Sequence, residues 1–90
     1  QERAIAPAIY RALRAAAQRL EAGERDLARI ESEGWRMLAA AGFRPDYFAV
    51  RDALELQAPG RTSRELVVLT AARLSRARLI DNLRVPILRF

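Results

Sequence analysis

Glu65-Leu66-Val67-Val68-Leu69-Thr70-Ala71-Ala72-Arg73-Leu74, followed after Ser75-Arg76 by Ala77-Arg78-Leu79-Ile80-Asp81-Asn82-Leu83, decides the fold. From Leu66 to Ala72 only Thr70 interrupts an apolar run, as expected for a strand with cover on both faces and neighbours on both edges. A central strand over 65–74 is therefore predicted. The second stretch alternates: Arg78, Ile80 and Asn82 share one face, and Leu79, Asp81 and Leu83 the other. The two residues between them suffice for a hairpin, so strand 77–83 runs antiparallel to strand 65–74. Leu69 and Ile80 are expected to be buried, with truncation of either to alanine costing about 2–5 kcal/mol. Pro86 limits extension of a central strand past Val85.

Upstream, Tyr47-Phe48-Ala49-Val50 is aromatic and β-branched and reads as a further strand, beginning after Pro45. Asp52 to Gln57 fits either a helical turn or a strand end, and Ala58-Pro59-Gly60 closes it as a loop. Earlier still the period changes to that of a helix. Ile5, Ile9, Leu13, Ala16 and Leu20 recur at spacings of three and four, so they form one stripe of a helix starting near Ala6 and ended by Gly23. Pro7 fits only its first turn. Asp26 is the expected N-cap of a second helix from Leu27 to Ala41, with Leu27, Ile30, Leu38 and Ala41 as its stripe and Gly42 as its left-handed terminator. Gly34, inside that helix, costs roughly 1 kcal/mol relative to alanine; close approach to the first helix or the sheet is the expected reason for it. The sum is an α+β fold, two N-terminal helices packed on a three-stranded antiparallel sheet, in one domain spanning residues 1–90.

Ninety residues, 51% hydrophobic and 30% charged, support one modest core and no second domain. With no cysteine and no histidine, disulfides, thiolate metal sites and Ser/His/Asp or Cys/His catalytic sets are excluded. The four glycines, at 23, 34, 42 and 60, lie too far apart for a phosphate loop. Asp26, Glu31, Glu33 and Asp46 are better explained as caps and solvated charges than as a metal set. The expectation is that this chain carries no catalytic, cofactor-binding or metal-binding residues of its own. The longest apolar run is far short of the roughly 18 residues of a membrane span. Glu2 and Arg3, with no long apolar core after them, do not read as a signal peptide. A chain beginning at Gln rather than Met suggests a fragment or a processed product.

All 16 basic residues are arginine, and the net charge is +5. They are dispersed beside acids, as in Arg25-Asp26, Arg51-Asp52 and Arg64-Glu65, which describes a solvated surface rather than a nucleic-acid footprint. The hairpin does set Arg73 across from Arg78, an unfavourable like-charge pair. Either both splay into water or pair with Asp52, Glu65 or Asp81, or they present charge toward a neighbouring domain or its phosphate-bearing ligand. Tyr10 and the Tyr47-Phe48 pair read as core; Trp35 lies off its helix stripe, between partial burial and an interface.

The ordered wording of RELVVLTAARL and ARLIDNL, with FRPDYFAVRDALEL (43–56) and ERAIAPAIYRAL (2–13), resembles the C-terminal domain of the pantothenate synthetases. The resemblance implies a lid on an AMP-forming ligase: Mg-ATP activates pantoate to pantoyl adenylate with release of pyrophosphate, and β-alanine then displaces AMP to give pantothenate. It implies an N-terminal Rossmann-type domain of the same enzyme as the partner. That domain would supply the histidine-bearing and serine-rich ATP motifs, so ATP and Mg belong to the whole enzyme and neither to this chain. A cytoplasmic homodimer with no nucleic-acid or membrane partner is the corresponding expectation. Arg51-Asp52-Ala53, Ala71-Ala72-Arg73-Leu74 and Arg78-Leu79-Ile80-Asp81-Asn82 match the family wording and imply fold and closure roles. Ser75 stands where glycine is common, and the tail Val85 to Phe90 is not explained. The alternatives left by the residues alone are a small basic nucleic-acid-binding module, or a domain that self-associates through an exposed apolar patch.

Overall fold

The computed structural model describes residues 7–90; residues 1–6, including Ile5 of the helical stripe, lie outside the described residues. Helices α1 (Pro7–Glu21) and α2 (Leu27–Ala40) precede strands β1 (Arg44–Asp52), β2 (Glu65–Leu74) and β3 (Ala77–Pro86). The strands form one antiparallel sheet in the order β1-β2-β3, so β2 is central.

The predicted stripe of α1 is its buried face: Ile9, Leu13, Ala16 and Leu20, with Ala12 and Ala17 beside them. Both helices end by the same glycine device. Gly23 has φ +100° and Gly42 +96°, a conformation other residues adopt only at a cost. At each end the second amide beyond the helix cap reaches back to the last turn: Glu24 N–H to the Arg19 carbonyl and Phe43 N–H to that of Leu38, both 3.0 Å. Leu38 and Phe43 are both buried, supplying the apolar contact that accompanies this motif. Asp26 caps α2 as expected, Oδ1 accepting from Arg29 N–H at 3.2 Å. The helix stops one residue short of its predicted end, and Ala41, expected on the stripe, is exposed as the cap residue. Its amide turns back to the carbonyls of Met37 and Leu38.

Close approach to the sheet explains Gly34. A Cβ built on it would overlap the ring of Phe48, which is 5% exposed and sits on β1. The glycine is where α2 lies down on the edge strand.

Strand β1 is longer than predicted, beginning at Arg44 and taking in Pro45; β3 extends to Pro86. Both are edge strands, where a proline costs no ladder bond if its nitrogen faces outward. One face of the sheet carries Phe48 and Val50 of β1, Leu66, Val68 and Ala72 of β2, and Leu79, Leu83 and Val85 of β3, all packed with the helices. The other has no helix or strand over it among the described residues. This corrects the expectation of cover on both faces. Ile80 is 57% exposed and Leu69 only partly buried, because both point to the open side. Val67 and Ala71, also on that side, are buried because they lie mid-strand between taller cross-strand neighbours.

The ambiguous segment after β1 is a turn. Asp52 Oδ1 accepts from the amides of Leu54 (2.8 Å) and Glu55 (3.2 Å), and its Oδ2 from the hydroxyl of buried Ser63 at 2.5 Å. Its carboxyl is held below the ordinary carboxylate range, first by the Ser63 hydroxyl and then by those two amides. The tail is also ordered by one residue. Arg25 donates to the carbonyls of Leu20 (2.9 Å), Glu24 (2.8 Å), Arg89 (2.7 Å) and Phe90 (3.1 Å), and its guanidinium carbon lies 5.4 Å from the centre of the Phe90 ring.

At the hairpin tip Ser75 has φ +55°, the sign the first residue of a type II′ turn requires. Ser75→Gly should therefore raise stability by about 0.5–1 kcal/mol, read as a shift in denaturant midpoint with unchanged slope. Gly34→Ala should lower it by about 1–3 kcal/mol from overpacking against Phe48, outweighing the roughly 1 kcal/mol alanine gains in an open helix. A more stable variant would show that the ring yields. Because the folded Asp52 carboxyl is depressed, its contribution is present at neutral pH and is lost only as pH falls from the ordinary value through the lowered one. Ser63→Ala should move the Asp52 titration, followed by carbonyl NMR, up toward the ordinary range.

Candidate functional site

Alternation along β2, β3 and β1 from Tyr47 onward fixes what most of the open face displays. Tyr47, Ala49 and Arg51 come from β1, Val67, Leu69, Ala71 and Arg73 from β2, and Arg78, Ile80, Asn82 and Arg84 from β3. The middle is apolar apart from Asn82, with Tyr47 39% and Ile80 57% exposed. Its two ends are basic. At one end Arg84 pairs with Glu65 at 3.1 Å and Arg51 reaches around the β1 edge to Glu31 of α2 at 3.3 Å. Each arginine there has its own acid.

The other end is different. Register places Arg44 opposite Arg73 and Arg73 opposite Arg78, so three arginines stand side by side across the full sheet. Among the described residues one carboxylate serves them. The β1–β2 pairing shifts between Pro45 and Tyr47, making Asp46 the extra residue of a bulge. Its Oδ2 accepts from Arg78 Nε at 2.7 Å, while Arg73 Nε remains at 3.7 Å, beyond hydrogen-bond length. The Asp46 carboxyl is held below the ordinary range by the Arg78 hydrogen bond first, with the charges of Arg73 and Arg44 adding to it.

The sequence placed Arg73 across from Arg78, and the structure does so. Of the three partners expected for them, Asp52 is turned to Ser63 and the Leu54 and Glu55 amides, and Glu65 is taken by Arg84. Asp81 lies on the helix-facing register, opposite Thr70. Arg44 and Asp46 were missed as members of the cluster, since only the bulge brings them to it. A proline two residues before an aromatic strand is the one hint the sequence carried. Of the aromatic residues read as core, Phe48 is buried and Tyr47 is not. Trp35 is 43% exposed, in a shallow depression beside Arg36 and the edge of Phe48. Among the described residues no group of three acidic or imidazole side chains could hold a metal ion.

The sequence and the fold both have known relatives. The family model for pantoate-beta-alanine ligase matches residues 1–84. The pantothenate synthetase of Ectopseudomonas mendocina (strain ymp) is 47% identical over 87 residues, covering 97% of this chain and 30% of that protein; the one from Nitrosococcus oceani gives the same figures. The crystal structure of pantothenate synthetase from Thermus thermophilus superposes with a TM-score of 0.74 at 34% identity, over 90% of this chain and 29% of that one. The chain thus spans about 30% of the length of the relatives it matches. The fold, the extent of the sequence match and its identity agree: this chain belongs to the pantoate–β-alanine ligase family.

Proposed function

We propose that residues 1–90 form the C-terminal domain of an AMP-forming ligase that condenses pantoate with β-alanine through a pantoyl adenylate, and that the domain closes over the active site of an upstream Rossmann-type domain. The observation that supports this reading best is the open sheet face. An isolated three-stranded domain gains nothing from exposing Tyr47, Leu69 and Ile80, whereas a lid needs an apolar surface to lay over its partner. The chemistry demands such a cover, because an acyl adenylate is destroyed by water and a closing domain keeps water out.

The chain's own inventory assigns the reaction elsewhere. Histidine, lysine, cysteine and a clustered glycine loop, the groups from which sites that activate a triphosphate are commonly built, are missing from this sequence, which supports an active centre in the upstream domain. Mg and the principal ATP-binding motifs belong, in this reading, to the upstream domain. Family membership further supports a cytoplasmic, homodimeric whole enzyme; no helix among the described residues is long and apolar enough to cross a membrane. A nucleic-acid-binding module finds no support. The arginines away from the hairpin end are largely spent within the domain: Arg19 on Glu24 and Glu33, Arg51 on Glu31, Arg84 on Glu65, and Arg25 on backbone carbonyls.

Joined to the upstream portion its relatives carry, the chain should give β-alanine-dependent release of AMP, while alone it should release no pyrophosphate from pantoate and ATP at physiological salt. Turnover by the chain alone would overturn the lid, and a joined protein inactive on pantoate and β-alanine would overturn the activity. Ile80→Ser separates closure from folding. In the isolated chain it should cost less than about 1 kcal/mol, as an exposed position does. In the joined protein it should let adenylate escape to water, seen as pyrophosphate released in excess of pantothenate formed.

A further inference from the structure

Three guanidinium groups in one cross-strand row, Arg44, Arg73 and Arg78, with Asp46 as the single carboxylate paired with them among the described residues, leave an excess of two positive charges on the open face. We infer that this row is an oxyanion site for the polyphosphate of the reaction, contacting the pyrophosphoryl group of ATP as it leaves when the domain closes.

Like charges directly opposite one another on a sheet are destabilising, and here two such pairs are adjacent. With strands about 4.8 Å apart, the row is roughly 10 Å long. A single carboxylate from a partner would neutralise half of its excess. A linear anion with several charges can meet all three side chains at once. The guanidinium fork matches the oxygens of a phosphate two at a time. Those forks remain available, since Arg78 meets Asp46 through Nε alone and Arg73 makes no hydrogen bond to it. Both side chains are reachable, Arg73 48% and Arg78 40% exposed. Asp46 fits this role as well. A carboxylate kept ionised by its neighbours holds Arg78 in place before the ligand arrives and is too little charge to satisfy the row. The contrast with the far end of the face, where Arg51 and Arg84 each have an acid, marks the row as the unfilled position.

The identity of the anion rests on the proposed ligase reaction; the site itself does not. Inorganic pyrophosphate is therefore titrated into this chain at physiological salt while the arginine Nε–H signals are followed by NMR. Arg44, Arg73 and Arg78 should shift together and selectively. Binding should weaken about tenfold or more in Arg73→Gln/Arg78→Gln, the loss of two charge-assisted contacts, and hardly at all in Arg11→Gln/Arg61→Gln, which removes the same charge elsewhere. Shifts shared evenly among all arginines, or no selective loss in the first variant, would overturn the site. In the joined protein Arg73→Gln/Arg78→Gln should relieve product inhibition by pyrophosphate about tenfold and leave the KM for pantoate unchanged. If instead it loosened the contact between the two domains with pyrophosphate inhibition intact, the row would be pairing with protein carboxylates and the inference would fall. Pyrophosphate bound at the row in a joined protein that makes no pantothenate would sink the ligase reading and leave the anion site standing.

Discussion

A three-stranded sheet is no wider than two helices laid side by side, so two helices suffice to cover one face and leave none for the other. The rest of the molecule follows from this limit. The core gathers between α1, α2 and the side of the sheet bearing Leu66, Val68 and Ala72, and every fully buried leucine and isoleucine belongs to that layer. The two helices must lie close to the strands to make so thin a core sufficient. Gly34 against Phe48, and the alanines at 12, 16 and 17 of α1, are the small residues that permit it.

Closure of this core at its open end depends on segments with little regular structure. Arg25, in the link between the helices, holds the last turn of α1 and the tail together through four carbonyls, so one guanidinium organises parts of the chain 65 residues apart. Ile87 is tied to the Arg64 carbonyl at 3.0 Å, and both Ile87 and Phe90 pack against the core. The family model matches residues 1–84, and the tail beyond it is fastened to the domain by these contacts.

The layer order, the three strands, their antiparallel sense and the central place of β2 were all legible, because helix stripes, glycine terminators and a two-residue hairpin are local signals. What escaped was which side of β2 would be covered. An apolar run reads the same whether its second face meets the chain's own helices or stays open, as it does at Leu69 and Ile80. The Arg73–Arg78 opposition was readable from hairpin arithmetic. Arg44 and Asp46 were not, since their place depends on an added residue in β1 that changes its phase, and periodicity alone does not reveal where a strand is phased.

That added residue also bears on how the domain tolerates change in chain length. In a pleated sheet an insertion or deletion normally inverts every side chain that follows, sending core residues to solvent. Here Pro45 faces Ala72 and Tyr47 faces Ala71, neighbours on an unbroken β2. Excising Asp46 would restore an ordinary ladder on β1 and invert nothing. The same segment could thus lose its one carboxylate by a single-codon deletion, with Phe48 and Val50 still inside and Tyr47 still outside. Acidity at the arginine row and the architecture of the sheet are separately heritable.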